Sequence, residues 1–251
     1  MDYYESYSYA QWCERVYGKD LKQTGMVTDK ELELFYNEIK LSPDSLILDV
    51  GCGLGYLTAN TSSHYNSDII GIDIDQKSVM LAKKQFEKNS RTDFQIMNAQ
   101  RLDFENSSFD LIYFFDTIYF VDTVQMLYSI LNKCLDLLKP NGKLALFCSD
   151  NPQLNINNNY LDYHNEIKKW SNDNNKLFKT IDLTNEYRNF WPNAYKESLA
   201  MKHEFCNEVP DAYEKLLVKC SYFSELCLRG NDGGMFRHLD IIENSVLNVS
   251  A

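Results

Sequence analysis

Apolar positions follow two rhythms along this chain. Short stretches rich in apolar residues occur at 46–50, 69–73, 94–97, 107–116, 143–148, 177–182 and 235–242, the first of them nearly unbroken. Runs of that length buried on both sides are what parallel strands require. Between them the apolar residues recur at three- and four-residue steps, the period of a helix with one buried face. Tyr9, Trp12 and Val16 share such a face, as do Leu32, Phe35, Tyr36 and Ile39 behind a Thr28-Asp29-Lys30-Glu31 capping box. Val79, Ala82 and Phe86 mark a helix over 76–88. Leu127, Leu131, Cys134, Leu135 and Leu138 mark one that begins at Asp122 and stops at Lys139-Pro140-Asn141-Gly142. Tyr160, His164, Ile167 and Trp170 predict another. From Thr184 to about Leu228 the pattern predicts two helices, broken at Pro192 and Pro210, the second with Tyr213, Leu217, Cys220 and Phe223 on its face. Strands alternating with helices predict an α/β fold, a doubly wound and mostly parallel sheet.

The first run ends in an acid and a glycine-rich turn, Asp49-Val50-Gly51-Cys52-Gly53-Leu54-Gly55, before a helix-compatible segment. Alternating glycines allow positive φ and let a ligand approach bare backbone. The spacing differs from the G-x-G-x-x-G of dinucleotide binders, and no P-loop motif occurs. About 20 residues further on, Asp73 stands at the carboxyl end of the next strand, where a carboxylate can accept both hydroxyls of a ribose.

The turn resembles motif I of the class I S-adenosylmethionine-dependent methyltransferases. Three further segments resemble that family in the expected order: Asn98-Ala99-Gln100 after the third strand, Phe109-Asp110 entering the fourth, and Leu138-Lys139-Pro140-Asn141-Gly142 before the fifth. The resemblance implies a seven-stranded Rossmann-like methyltransferase fold with S-adenosylmethionine as cofactor. It places Asp49, Gly51, Cys52 and Gly53 at the methionine moiety, Asp73 and Ile74 at the ribose side, and Asn98, Ala99 and Gln100 at adenine. Asn98 replaces the family's usual Asp, but an amide can still donate and accept. The tract around Gln23 and Gly25 is similar to the loop that closes over the cofactor in sarcosine-type enzymes. The family's last two strands normally form a short antiparallel hairpin. Here the link between them is long, which implies a helical insertion. The implied organisation is a helical cap or lid at 1–42, a cofactor-binding core at 43–184, an insertion at 185–234 and a return strand at 235–251.

Asp116 and Tyr119 fall at the carboxyl end of the fourth strand, where ligands of open parallel sheets collect. Asp116 is therefore expected near both cofactor and acceptor. Tyr9, Trp12, Tyr119, Arg188 and Trp191 complete the candidate substrate residues, since aromatic rings can hold an ammonium by cation–π attraction. Methyl transfer is an in-line displacement from an activated sulfonium, so alignment and water exclusion carry most of the catalysis. No pattern names a catalytic base, a metal cluster or a covalent nucleophile. The expected reaction is methylation of a small molecule, foremost at an amine nitrogen. Oxygen or carbon acceptors and a catalytically silent cofactor-binding regulator are the alternatives; a nicotinamide dehydrogenase is disfavoured by the glycine spacing.

Composition narrows the partners. A net charge of −11 argues against nucleic acid. No apolar run reaches the ~18–20 residues of a membrane span. The start of the chain lacks a signal-peptide pattern, and seven scattered cysteines without a C-x-x-C pair fit reduced thiols, hence a cytoplasmic location. Oligomeric state is not legible.

Overall fold

The computed structural model describes residues 3–23, 25–150, 161–228 and 235–246. Its strands are β1 (Leu46–Val50), β2 (Asp68–Asp73), β3 (Thr92–Ile96), β4 (Phe109–Phe115), β5 (Leu138–Asp150), β6 (Lys176–Asp182) and β7 (Phe236–Val246). They form one mixed seven-stranded sheet in the order β3-β2-β1-β4-β5-β7-β6. The pairs β1–β2, β1–β4, β2–β3 and β4–β5 are parallel. The order reverses direction at β1, the topological switch point where open α/β sheets place ligands. The register sets Asp49 beside Gly71 on one side and Tyr113 on the other.

The helices are α1 (Tyr7–Tyr17), α2 (Asp29–Ile39), α3 (Tyr56–Tyr65), α4 (Gln76–Gln85), α5 (Val124–Leu137), α6 (Tyr163–Asp173), α7 (Thr184–Ala200), α8 (Lys202–Glu208) and α9 (Pro210–Leu228). Two expectations need correction. The insertion holds three helices, and α7 continues through Pro192. Tyr187, Phe190, Trp191 and Ala194 are all buried along it, and that burial outweighs the lost hydrogen bond and ring clash. Pro210 opens α9 at the first helical position, where its missing N–H costs nothing. Of the residues expected on α6, Tyr160 lies outside the described residues.

The chain divides into two compact units. One comprises 37–148, 161–181 and 238–251; the other comprises 1–36, 149–160 and 182–237. In the first, hereafter the sheet unit, Leu48, Ile112, Phe114 and Leu146 pack with Leu127, Leu131 and Cys134 of α5 and Trp170 of α6. The Trp170 indole donates to Asn132 Oδ1 at 3.0 Å, tying α6 to α5. A second cluster joins Cys52, Val79, Ala82 and Phe94.

The other, helical unit is held by an aromatic core. Tyr9, Trp12 and Tyr17 of α1 pack with Tyr187, Phe190 and Trp191 of α7 and with Tyr213 and Leu216 of α9. Trp12 Nε1 donates to Ser198 Oγ at 3.0 Å, whereas Trp191 Nε1 and Tyr213 Oη are buried without a hydrogen-bond partner among the described residues. The first amides of α1, from Tyr7 and Ser8, donate to the Glu208 carboxylate at 2.7 and 2.8 Å, so an acid from α8 caps α1. The predicted capping box forms, with Thr28 N donating to Glu31 Oε2 at 2.8 Å and Glu31 N to Thr28 Oγ1 at 3.2 Å. Among the described residues no helix is long and apolar enough to cross a membrane.

Candidate cofactor and substrate site

Three glycines in the turn after β1 have left-handed backbone: Gly51 at φ +87°, Gly53 at +51° and Gly55 at +79°. They are glycine for different reasons. A Cβ on Gly51 would fall 2.2 Å from Thr117 Cγ2, and one on Gly55 2.6 Å from the Phe94 ring. A Cβ on Gly53 would meet nothing within 4 Å. Only Gly53 therefore turns bare backbone towards open space; the other two are glycine because protein packs against them. The N–H groups of Gly51 and Cys52 both donate to Ile72 O, at 2.7 and 3.0 Å, locking the turn to β2. No side chain caps the start of α3 at Gly55, which leaves its first amides to a ligand or solvent.

Asp73 lies at the carboxyl end of β2. Its two oxygens accept from Gly53 N and Asp75 N, each at 2.9 Å. A carboxylate has about four acceptor positions, so two stay available for a diol. The next residue, Ile74, is 68% exposed, an apolar surface beside that carboxylate. Met97 N donates to Asp73 O at 3.0 Å, which brings the end of β3 alongside. There Asn98 Oδ1 accepts from Gln100 N at 2.9 Å and caps the short turn Ala99–Arg101. Asn98 is thus partly committed to shaping the Ala99-Gln100 tract.

Asp49 is 2% exposed and accepts from Thr58 Oγ1 at 2.6 Å, pinning α3 to β1. Burial pushes its carboxyl up to about 7, the Thr58 and Tyr113 hydroxyls partly oppose the rise, and the Asp73 charge adds to it. Cys52 is buried against Gly71 and Phe94, and burial first, then Asp49 and Asp73, holds its thiol far above the usual range. Its sulfur belongs to the core, and only its backbone shapes the turn.

At the end of β4, Asp116 adopts φ +55°, a left-handed backbone that costs a non-glycine residue energy and concentrates at functional sites. Tyr119 Oη donates to Asp116 Oδ1 at 2.7 Å, and Tyr163 Oη donates to the carbonyls of Tyr119 and Val121 at 3.1 and 3.0 Å. The sheet unit therefore gathers the turn at Gly53, Asp73, Ile74, the Asn98–Gln100 tract and the Asp116–Tyr119 pair at the carboxyl ends of β1 to β4.

The remaining candidates belong to the helical unit. Gln23 is buried, with its Nε2 donating to Val27 O and its Oε1 without a partner. The Tyr9 and Tyr17 hydroxyls donate to the carbonyls of Gln23 and Gly25 at 2.8 and 2.9 Å, so α1 fixes this loop. Tyr9, Trp12 and Trp191 line a cavity of about 410 Å³. Arg188 instead lies 6.0 Å from the Phe236 ring centroid. Sequence reading missed Arg237, which is fully buried and donates to Glu31 Oε1 at 2.7 Å and Ser149 Oγ at 2.9 Å. A lone arginine at the start of an apolar strand was the available signal. Among the described residues no cluster of His, Cys, Asp and Glu is placed to hold a metal ion.

A mixed seven-stranded sheet of this order, a Gly-x-Gly-x-Gly turn open at its middle glycine and an acid at the end of the neighbouring strand are together the arrangement that the resemblance to the class I S-adenosylmethionine-dependent methyltransferases implies. Residues 47–142 match the family model described as a methyltransferase domain. Phosphoethanolamine N-methyltransferase 3 of Arabidopsis thaliana is 29% identical over 135 residues, which cover 53% of this chain and 26% of that protein. An O-methyltransferase of Pyrenophora dematioidea is 34% identical over 80 residues, covering 31% of this chain and 30% of that protein. The chain thus spans less than a third of the length of these curated relatives. Among solved structures, phosphoethanolamine N-methyltransferase 2 of Haemonchus contortus, in complex with phosphomonomethylethanolamine and S-adenosylhomocysteine, superposes with a TM-score of 0.77 at 15% identity. It covers 94% of this chain and 57% of that one.

Proposed function

We propose that the chain binds S-adenosylmethionine at the carboxyl ends of β1 to β3 and transfers its methyl group to a small-molecule acceptor, foremost an amine nitrogen. The observation that carries the cofactor reading is Gly53, open to space and hydrogen-bonded to Asp73. In this reading Gly53 and the amides opening α3 receive the methionine moiety. Asp73 holds the ribose, Ile74 packs on the adenine, and Asn98, Ala99 and Gln100 meet the adenine edge. Bound there, the cofactor supplies an electrophilic methyl on a sulfonium.

The chain's own part is alignment and proton handling. The Asp116 carboxylate holds an ammonium by charge. Tyr119, hydrogen-bonded to that carboxylate, orients it. The acceptor must lose a proton before its lone pair can attack, and that proton passes to solvent or to the Asp116–Tyr119 pair. The amine preference draws on this pair and on the N-methyltransferases among the similar proteins. Gln23, Gly25, Tyr9, Trp12, Arg188 and Trp191 all lie in the helical unit and take no part in this reading. Seven free thiols fit a reducing compartment such as the cytoplasm.

The test is S-adenosylhomocysteine formation with pooled amines, phenols and alcohols, and carboxylates. Turnover with amines that is lost in Asp116→Asn supports the proposal. Turnover confined to hydroxyl acceptors turns the reading to O-methylation, and cofactor binding without turnover in any pool turns it to a binding protein.

A further inference from the structure

The cavity of about 410 Å³ lies wholly within the helical unit and falls in the size range of small-molecule pockets. Its walls divide by chemistry. One side is aromatic, from Tyr4, Tyr9, Trp12 and Tyr17. The polar tips of three of these rings are already used: Tyr9 on Gln23 O, Tyr17 on Gly25 O and Trp12 on Ser198 Oγ. They therefore offer carbon surface. The other side is one face of α9, where Asp211, Lys215 and Lys219 recur at four-residue steps around Ala212 and Leu216.

Two features of the wall point to a ligand. Trp191 lines the cavity and is 3% exposed, yet its Nε1 has no hydrogen-bond partner, whereas buried tryptophans normally find one. Lys215, exposed at the edge of the cavity, forms no ion pair among the described residues and is open to an anion entering it. The charge on the wall is one acid against two ammonium groups, and Lys219 Nζ already sits 5.4 Å from the Trp191 ring centroid. Aromatic faces alone would suit a cation, but two lysines on the same wall oppose one. An apolar cavity with a surplus positive charge and an unused N–H donor suits an anion with a flat apolar body.

We propose that this cavity binds a small aromatic carboxylate, with its ring among Tyr9, Trp12 and Tyr17 and its anionic head met by Lys215. The site is independent of the methyl-transfer reading, since none of its residues belongs to the sheet unit.

Calorimetry on the full chain, saturated with S-adenosylhomocysteine to block the cofactor crevice, tests it with three isosteric probes. These are 2-naphthoate, 2-naphthylmethanol and 2-naphthylmethylammonium. Saturable one-to-one binding of 2-naphthoate is expected, at least tenfold tighter than either other probe. Lys215→Met should weaken it at least tenfold, and Ala212→Phe, which fills the cavity and keeps the charges, should abolish it. Circular dichroism should be unchanged in both variants. Equal binding of the neutral probe, preference for the cation, no saturable binding of 2-naphthoate, or unchanged binding in folded Lys215→Met would each overturn the proposal.

Discussion

A methyl group added at Gly51 and one added at Gly53 meet different surroundings, although both glycines sit in one motif. At Gly51 it collides with Thr117 on a left-handed backbone; at Gly53 it projects into open space. Gly51→Ala should destabilise the fold by well over the roughly 1–2 kcal/mol that a left-handed alanine costs, whereas Gly53→Ala should lose about that amount and weaken S-adenosylhomocysteine binding at least tenfold. Denaturation and calorimetry on the two variants separate the effects. Asp73→Ala should weaken the same ligand by about 1.5–3 kcal/mol, the loss of charged hydrogen bonds; an unchanged dissociation constant in a folded variant would remove Asp73 from the ribose. Asp49 makes a pH prediction. Its carboxyl titrates near 3.8 when unfolded and at about 7 when folded, so between those values the folded state holds the extra proton. Stability then falls as pH rises from about 4 to 7 and levels off above, by an amount on the order of a few kcal/mol. Asp49→Asn should remove that slope, which denaturant midpoints measured from pH 4 to 8 will show. The motif and Asp73 were legible because turn chemistry is local. The division of labour among the glycines was not, because Thr117 and Phe94 reach them from distant positions.

At the scale of elements, the helix α2 shows how a local signal is reused over long range. The Thr28–Glu31 box was readable as a helix start, and it forms. The same Glu31 carboxylate also neutralises buried Arg237 at the start of β7. A partner 206 residues away leaves no trace in periodicity. Glu31→Ala strands that guanidinium and should cost about 3–5 kcal/mol, while the double change Glu31→Leu with Arg237→Met should cost much less, because no charge is left buried. Urea unfolding of the single and double variants checks the difference. Pro192 misled in the opposite direction. Its local rule predicts a break, but burial of Tyr187, Phe190 and Trp191 before it and of Ala194 and Ser198 after it carries α7 across it.

For the whole molecule, most of the sheet was legible because the central strands β1, β2 and β4 are apolar runs, with a helix between β1 and β2, between β2 and β3 and between β4 and β5. That the stretches 1–36, 149–160 and 182–237 gather into one unit was not legible, because they lie far apart in sequence. Ligand linkage gives a global test. S-adenosylhomocysteine at about 100 times its dissociation constant should add roughly 2.7 kcal/mol to stability, and NAD at the same concentration should add nothing. Thermal melts with each ligand read this directly.

The strand order also constrains how the protein is made. The edge strand β6 has β7 as its one neighbour in the sheet, and β7 leaves the ribosome after every other strand. At about 5–20 residues per second, β6 waits several seconds with both edges unpaired while the intervening helices are translated. A stalled or prematurely terminated nascent chain ending before Phe236 would display that edge, making the interval between β6 and β7 the point in synthesis at which chaperone capture or aggregation is most expected.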